Sequence, residues 1–287
     1  MLAIMKREFK AYFSSPTGFV FMGFFLLLTG FFFVMSNVLH ASPDYNAVLG
    51  SITFIFLIVV PVLTMRLISE ESKQKTDQLL LTSPLSLTKM VLGKYFAAVS
   101  VFLITLLVTA LYPVMLSFFG SVAVWEILGG YIGFFLLGSS FIAVGLFVSS
   151  LTDNQVIAAI VTFVSLLFMW LIDWIQQGIP VDRVSGIVFT VLLAIGAAFF
   201  VYFATRTIIV SIAVFAVGSG VVTGMYFLNP IVFDGIIVRV LDWFSLLARY
   251  RDFAMGVLSI SPIVYYVTFC AIFVFLTIRV IEKRRWS

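Results

Sequence analysis

Charged residues are scarce in this chain. Asp, Glu, Lys and Arg fill 10% of 287 positions, and 62% are hydrophobic, where a water-soluble domain carries about 25% charged residues. Most of the chain therefore belongs in lipid. One Cys (Cys270) excludes an intrachain disulfide, and with one His (His40) the usual Cys/His metal cages are excluded as well. No G-x-x-x-x-G-K-[ST] loop occurs, so ATP is not bound through a Walker A motif, and neither H-E-x-x-H nor G-x-S-x-G is present. The apolar centres of the long hydrophobic runs also lack Asp, Glu, Lys and Arg. Ion-coupled carriers keep such groups at mid-membrane to carry the coupling charge. Their absence argues against a secondary transporter or a channel with a charged filter, so energy for work must come from another subunit.

What is present is a succession of charge-free runs: 11–43, 45–65, 95–125, 127–152, 154–172, 184–205, 207–233 and 253–278. A helix needs about 20 apolar residues to cross the hydrocarbon core, so these runs predict an all-α integral membrane protein of about eight transmembrane helices. The first is too long for a signal-peptide core of about 7–15 residues and reads as a retained span. Placing the N-terminus in the cytoplasm puts thirteen Lys and Arg inside and four (Arg183, Arg239, Arg249, Arg251) outside. That bias makes both termini cytoplasmic. In the hairpin 184–228 the halves are separated only around Arg206. Two spans with a tight inner turn avoid the roughly 2.5–3.5 kcal/mol of burying that Arg at mid-membrane.

Two segments suit the membrane surface. Residues 1–14 place Leu2, Met5, Phe9 and Phe13 at helical spacing with Lys6, Arg7 and Lys10 elsewhere on the wheel, as an interfacial helix requires; the alternative is an ordinary basic flank. In 236–253, Arg239, Asp242, Ser245, Arg249 and Asp252 recur on one face opposite Val238, Leu241, Phe244 and Leu247. This predicts an outer amphipathic or re-entrant helix, either a passive cover or an outer gate. Pro61 is expected to kink the second span, and Pro113 with Gly120 to break the third around 112–120.

The one sizeable polar block between spans is Ser69–Tyr95, SEESKQKTDQLLLTSPLSLTKMVLGKY. Two adjacent carboxylates, a short polar run, a Leu triplet, Thr-Ser-Pro and a Lys at the next apolar run form a short amphipathic helix ended by a turn and held between spans. A soluble partner can push on such an element. At Glu70-Glu71, Thr76, Leu79-Leu80, Thr82-Ser83-Pro84 and Gly93-Lys94 the block resembles the coupling region of ABC-2 type permeases, although Lys75 stands where many relatives have Gly. Ser150–Gln155 resembles the family's inner turn. The region from Trp243 through Tyr265-Tyr266 to Trp286 resembles its gliding-motility branch.

The resemblance implies a single permease transmembrane domain over 1–287: a six-span core, an extra hairpin at 184–228, a coupling region at 69–94 and an outer element at 229–259. It implies an exporter subunit of the plasma membrane of bacterial type, with no cofactor of its own. ATP and Mg would sit on a separate ABC ATPase contacting Glu70, Glu71, Lys75, Thr76, Asp77, Leu79, Leu80, Thr82, Ser83, Pro84 and Lys94. A second permease chain, homo- or heterodimeric, would meet it at Gly23, Gly30, Ala158 and Ala159. Arg239, Asp242, Trp243, Arg249 and Asp252 are the outer-gate candidates, with room for an extracytoplasmic accessory protein and no nucleic-acid partner. The alternative is a non-transporting scaffold or mechanotransmitting subunit of an ATPase-driven assembly. Without charged cavity residues, an amphipathic lipid, hydrophobic peptide or lipid-linked glycan suits the spans better than a small ion.

Overall fold

The computed structural model describes residues 1–73 and 86–286, which are helical without strands. The chain forms two compact units, residues 1–170 with 246–287, and residues 171–245. Among the described residues eight helical segments are long and apolar enough to cross a membrane.

In the first unit, α1 (Leu2–Ser14) precedes α2 (Pro16–Phe33), whose last turns widen into a π-helix at Val34–Val38. The second span is built in pieces: α3 (Asn46–Ser51), a 3-10 turn (Ile52–Ile55), α4 (Phe56–Thr64) and, past a turn at 65–68, α5 (Ser69–Lys73). Pro61 lies inside α4; it has no N–H to give the Leu57 carbonyl, and its ring crowds that oxygen. The third span, α6 (Leu87–Thr109), stops four residues before Pro113 for the same reason. A new helix, α7 (Leu111–Ser117), then carries that proline in its first turn, where it is tolerated. The expected break at 112–120 thus begins earlier, at Ala110.

Helix α8 (Val124–Leu151) is the most enclosed span, packed by α3, α4, α6, α13 (Leu246–Ala254) and α14 (Ile260–Trp286). Its small residues allow close approach: a Cβ on Gly145 would lie 2.2 Å from Thr64 Oγ1. Aromatic rings fill the centre, with Phe56 4.6 Å from Phe134 and 5.6 Å from Phe102, and Phe25 6.2 Å from Phe102. Each pair adds about 0.5–1.5 kcal/mol to the area it buries. Helix α9 (Gln155–Gly178) starts after an Asn154 cap, whose Oδ1 accepts from Val156 N at 2.9 Å. The unit boundary falls within it.

The second unit centres on the hairpin of α10 (Arg183–Thr205) and α11 (Ile208–Leu228). Asp182 caps α10 by accepting from Ser185 N at 3.1 Å, and Arg206 turns the chain with a left-handed φ of 54°. The hairpin expected at 184–228 is therefore two helices joined at that Arg. A 3-10 turn (Pro230–Phe233) and α12 (Ile236–Phe244) follow, with Arg183 3.1 Å from Asp234.

One expectation is corrected. Residues 236–253 do not form a continuous helix: Ser245 is extended (φ −71°, ψ 119°) and separates α12 from α13, which belong to different units. The Ser245 hydroxyl bonds to the buried Asp173 carboxylate at 3.0 Å. A tertiary bond thus takes the residue that helical spacing had placed mid-face.

Candidate functional site

The site grows from the unwound base of the second span. Where α4 gives way to α5, the helix leaves carbonyls without partners, and a helix end buried in this way must find donors elsewhere. Three elements supply them. From α1, the Tyr12 hydroxyl donates to Leu63 O at 2.8 Å. From α6, the Lys94 ammonium donates to Leu67 O at 2.7 Å. From α8, the Ser149 hydroxyl donates to Met65 O at 3.2 Å, while its oxygen accepts from the Ile68 and Ser69 amides at 3.2 Å each. The break is a built junction clamped from three sides.

A charge network closes over it. Lys94 is 1% exposed, and its Nζ lies 2.9 Å from Glu71 Oε1 and 3.5 Å from Glu8 Oε1. The Arg7 guanidinium reaches the same two oxygens, at 2.6 Å for Glu8 and 3.4 Å for Glu71. Two cations and two carboxylates thus form a neutral ring over α1, α5 and α6. The hydrogen bond with Glu8 raises the Arg7 guanidinium above its ordinary value, so it stays charged. Beside the ring, Arg66 holds Glu70 with two bonds of 2.8 and 2.9 Å and donates to Thr17 Oγ1 at 3.0 Å.

Gly93 explains why α1 comes so near. A Cβ there would lie 3.0 Å from Ile4 Cγ2, so the bare backbone is the seat for Ile4. The protein-facing row of α1 is accordingly Ile4, Glu8 and Tyr12, at i, i+4 and i+8, while Leu2 is exposed. Of the apolar row Leu2, Met5, Phe9 and Phe13, Phe9 and Phe13 also pack against the core and only Leu2 is exposed.

Of the block residues singled out in the sequence, Glu70, Glu71 and Lys94 come together here. Lys75, Thr76, Asp77, Leu79, Leu80, Thr82, Ser83 and Pro84 lie outside the described residues. Glu8, Tyr12, Arg66 and Ser149 complete the site and escaped the sequence reading, as did Arg7, which that reading placed only among the cations of an interfacial helix. Glu8 carried a signal, being the only carboxylate before Asp44 and set within a basic segment.

At the other end of the spans, Asn46 Nδ2 donates to Glu126 O at 2.8 Å and Ala254 O at 2.7 Å, fastening α13 to α3 and α8. Arg249 stacks on Tyr265 at 3.7 Å, and Arg239 donates to Asp234 O at 2.6 Å. Trp243 is exposed, and Asp242 and Asp252 lie on α12 and α13 respectively. Of the candidate seam residues, Gly23 is open, Ala159 half-buried, and Ala158 buried. Tyr112 covers Gly30. Among the described residues no group of three or more His, Cys, Asp or Glu could hold a metal.

The fold defines a multi-pass, all-helical membrane protein. Residues 41–180 match the family model described as ABC-2 family transporter protein, which supports an ABC-2 permease. That region contains the polar block, α5, Lys94 and Ser149. No curated protein matches the chain.

Proposed function

We propose that this chain is the membrane-spanning subunit of an ABC-2 type exporter, of the gliding-motility-like branch, with both termini in the cytoplasm. A separate ABC ATPase docks on 69–94, binds ATP and Mg, and drives the movement. The observation that carries this reading is the lock between the block's two described ends, Glu71 and Lys94, 2.9 Å apart within the matched region. A push on the residues between them reaches α1, α6 and α8 together, because the junction at Leu63–Ser69 is bonded to all three. Lys94 serves by holding Glu71, while Leu79, Leu80 and Thr82–Pro84 supply the docking contacts. Two chains pair along α2 and α9, with Gly23 and Ala159 at the seam and Gly30 and Ala158 setting helix approach behind it. Arg239, Asp242, Trp243, Arg249 and Asp252 serve the outer gate.

The test is ATPase turnover of a candidate partner ABC ATPase from the same genome, alone and co-purified with the chain, wild type or carrying Leu80→Asp. The expected outcome is a stable complex with altered turnover, lost in the variant. A wild-type chain that neither binds the ATPase nor changes its turnover would overturn the reading.

A further inference from the structure

A groove of about 420 Å³ runs between α6, α8 and α14, within the first unit. Its walls extend from Thr88 to Val99 on α6 and from Ile278 to Val267 on α14. Eleven residues of helix rise about 16 Å, which matches the roughly 15 Å depth of one leaflet's hydrocarbon. The lining is almost wholly apolar, and its deep end is closed by Phe135 and Leu136 of α8. There the Tyr95 hydroxyl is turned into the protein, donating to Ser139 O at 3.2 Å.

The shallow end differs. Thr88 and Ile278 are followed in the chain by Lys89 and Arg279, both exposed. The Arg279 guanidinium lies 4.9 Å from the centroid of Phe275, itself a lining residue, so a cation sits at the groove's mouth. Glu282, half-buried on the same side of α14, pairs with Arg279 at 2.9 Å, so with exposed Lys89 the mouth carries two cations and one carboxylate. A groove one leaflet deep, apolar along its length and cationic at its mouth, has the form of a single phospholipid.

We propose that this groove is a binding site for an anionic phospholipid, with one acyl chain between α6 and α14 and the headgroup phosphate held by Lys89 and Arg279. The leaflet is the cytoplasmic one, an assignment that rests on the orientation proposed above. Tail burial supplies most of the affinity, and the two cations supply the preference for negative charge. Arg279 is suited to the phosphate by its planar set of donors.

The test is native mass spectrometry of the delipidated full chain in detergent, titrated with dioleoyl phosphatidylglycerol or dioleoyl phosphatidylcholine. The phosphatidylglycerol adduct is expected at up to about thirtyfold lower lipid concentration, taking about 1 kcal/mol for each near-surface cation. Lys89→Gln with Arg279→Gln should abolish that difference while leaving the phosphatidylcholine adduct. Ala271→Trp, which fills the groove, should remove both adducts. Dihexanoyl phosphatidylglycerol keeps the headgroup but cannot fill the groove, so it should bind the unaltered chain at least tenfold more weakly; this arm needs no variant to fold. Equal wild-type titrations with the two dioleoyl lipids, undiminished adducts in Ala271→Trp, or equal binding of the short-chain lipid would each overturn the proposal. So would a groove covered by a second copy, seen as a lipid-free dimer that Ala271→Trp dissociates. No ATPase enters the measurement, so its failure leaves the permease reading standing.

Discussion

Among the described residues, Lys94 and Asp173 are the buried charged side chains, and Lys94 shows how a cation is kept there. An ammonium removed from water must be repaid by close, well-directed partners; Lys94 has a carbonyl and two carboxylates. Lys94→Met should therefore cost about 3–5 kcal/mol, the usual range when one partner of a buried pair is deleted. The check is a thermal melt in detergent with Glu71→Gln as the second arm of a double-mutant cycle. The double variant should lose less than the two single losses combined; simple additivity would show that the pair is not coupled. Close packing gives a second prediction. Gly145→Val must displace Thr64 and should cost about 1–3 kcal/mol by overpacking, and Thr64→Ala should return part of that loss in the same melt. The sequence named Glu71 and Lys94 as important but gave no hint that they meet each other. Their third partner, Glu8, lies 86 residues before Lys94, a separation that local pattern does not register.

At the scale of elements, α1 is a docked helix as well as an amphipathic one. Ile4 sits against Gly93, Glu8 joins the charge ring, and Tyr12 takes the Leu63 carbonyl. Gly93→Leu removes the seat without touching a charge, so it should undock α1. Limited trypsin digestion reads this directly, because α1 carries Lys6, Arg7 and Lys10 and cleavage follows the population of the open form. Cleavage there should rise severalfold while α14 stays intact; unchanged cleavage would mean that α1 is held by lipid rather than by α6. The helices themselves were legible because a long charge-free run leaves the backbone no alternative in hydrocarbon. The break at Pro113 was legible in kind, since that proline acts on Thr109, four residues earlier, and so moved the break only to Ala110. The interruption at Ser245 was not legible. Helical spacing through 236–253 is unbroken, and only the distant Asp173 reveals that the Ser245 hydroxyl is committed elsewhere.

At the scale of the whole molecule, the two units bury their apolar surface differently. In the first, aromatic rings and the α8 glycines enclose a core. In the second, α11 packs on α10, with Ser211 donating to Ala198 O, but no residue of α11 is fully buried and few of α10 are. Large exposed apolar faces on both helices need lipid or a partner to cover them. Removing residues 183–228 deletes two helices and leaves the remaining spans in their original directions. The shortened chain should keep the Lys94–Glu71–Glu8 ring and the Ser149 clamp, since every residue of both lies in the first unit. Its melting temperature, followed by a thiol dye on the single Cys270, should stay within a few degrees of the full chain, and Lys94→Met should lower it by a similar amount in both backgrounds. A shortened chain that aggregates, or in which Lys94→Met no longer matters, would show that the hairpin belongs to the same cooperative core. Retained stability with lost ATPase stimulation would instead assign the hairpin's exposed apolar faces to partner contact rather than to lipid alone.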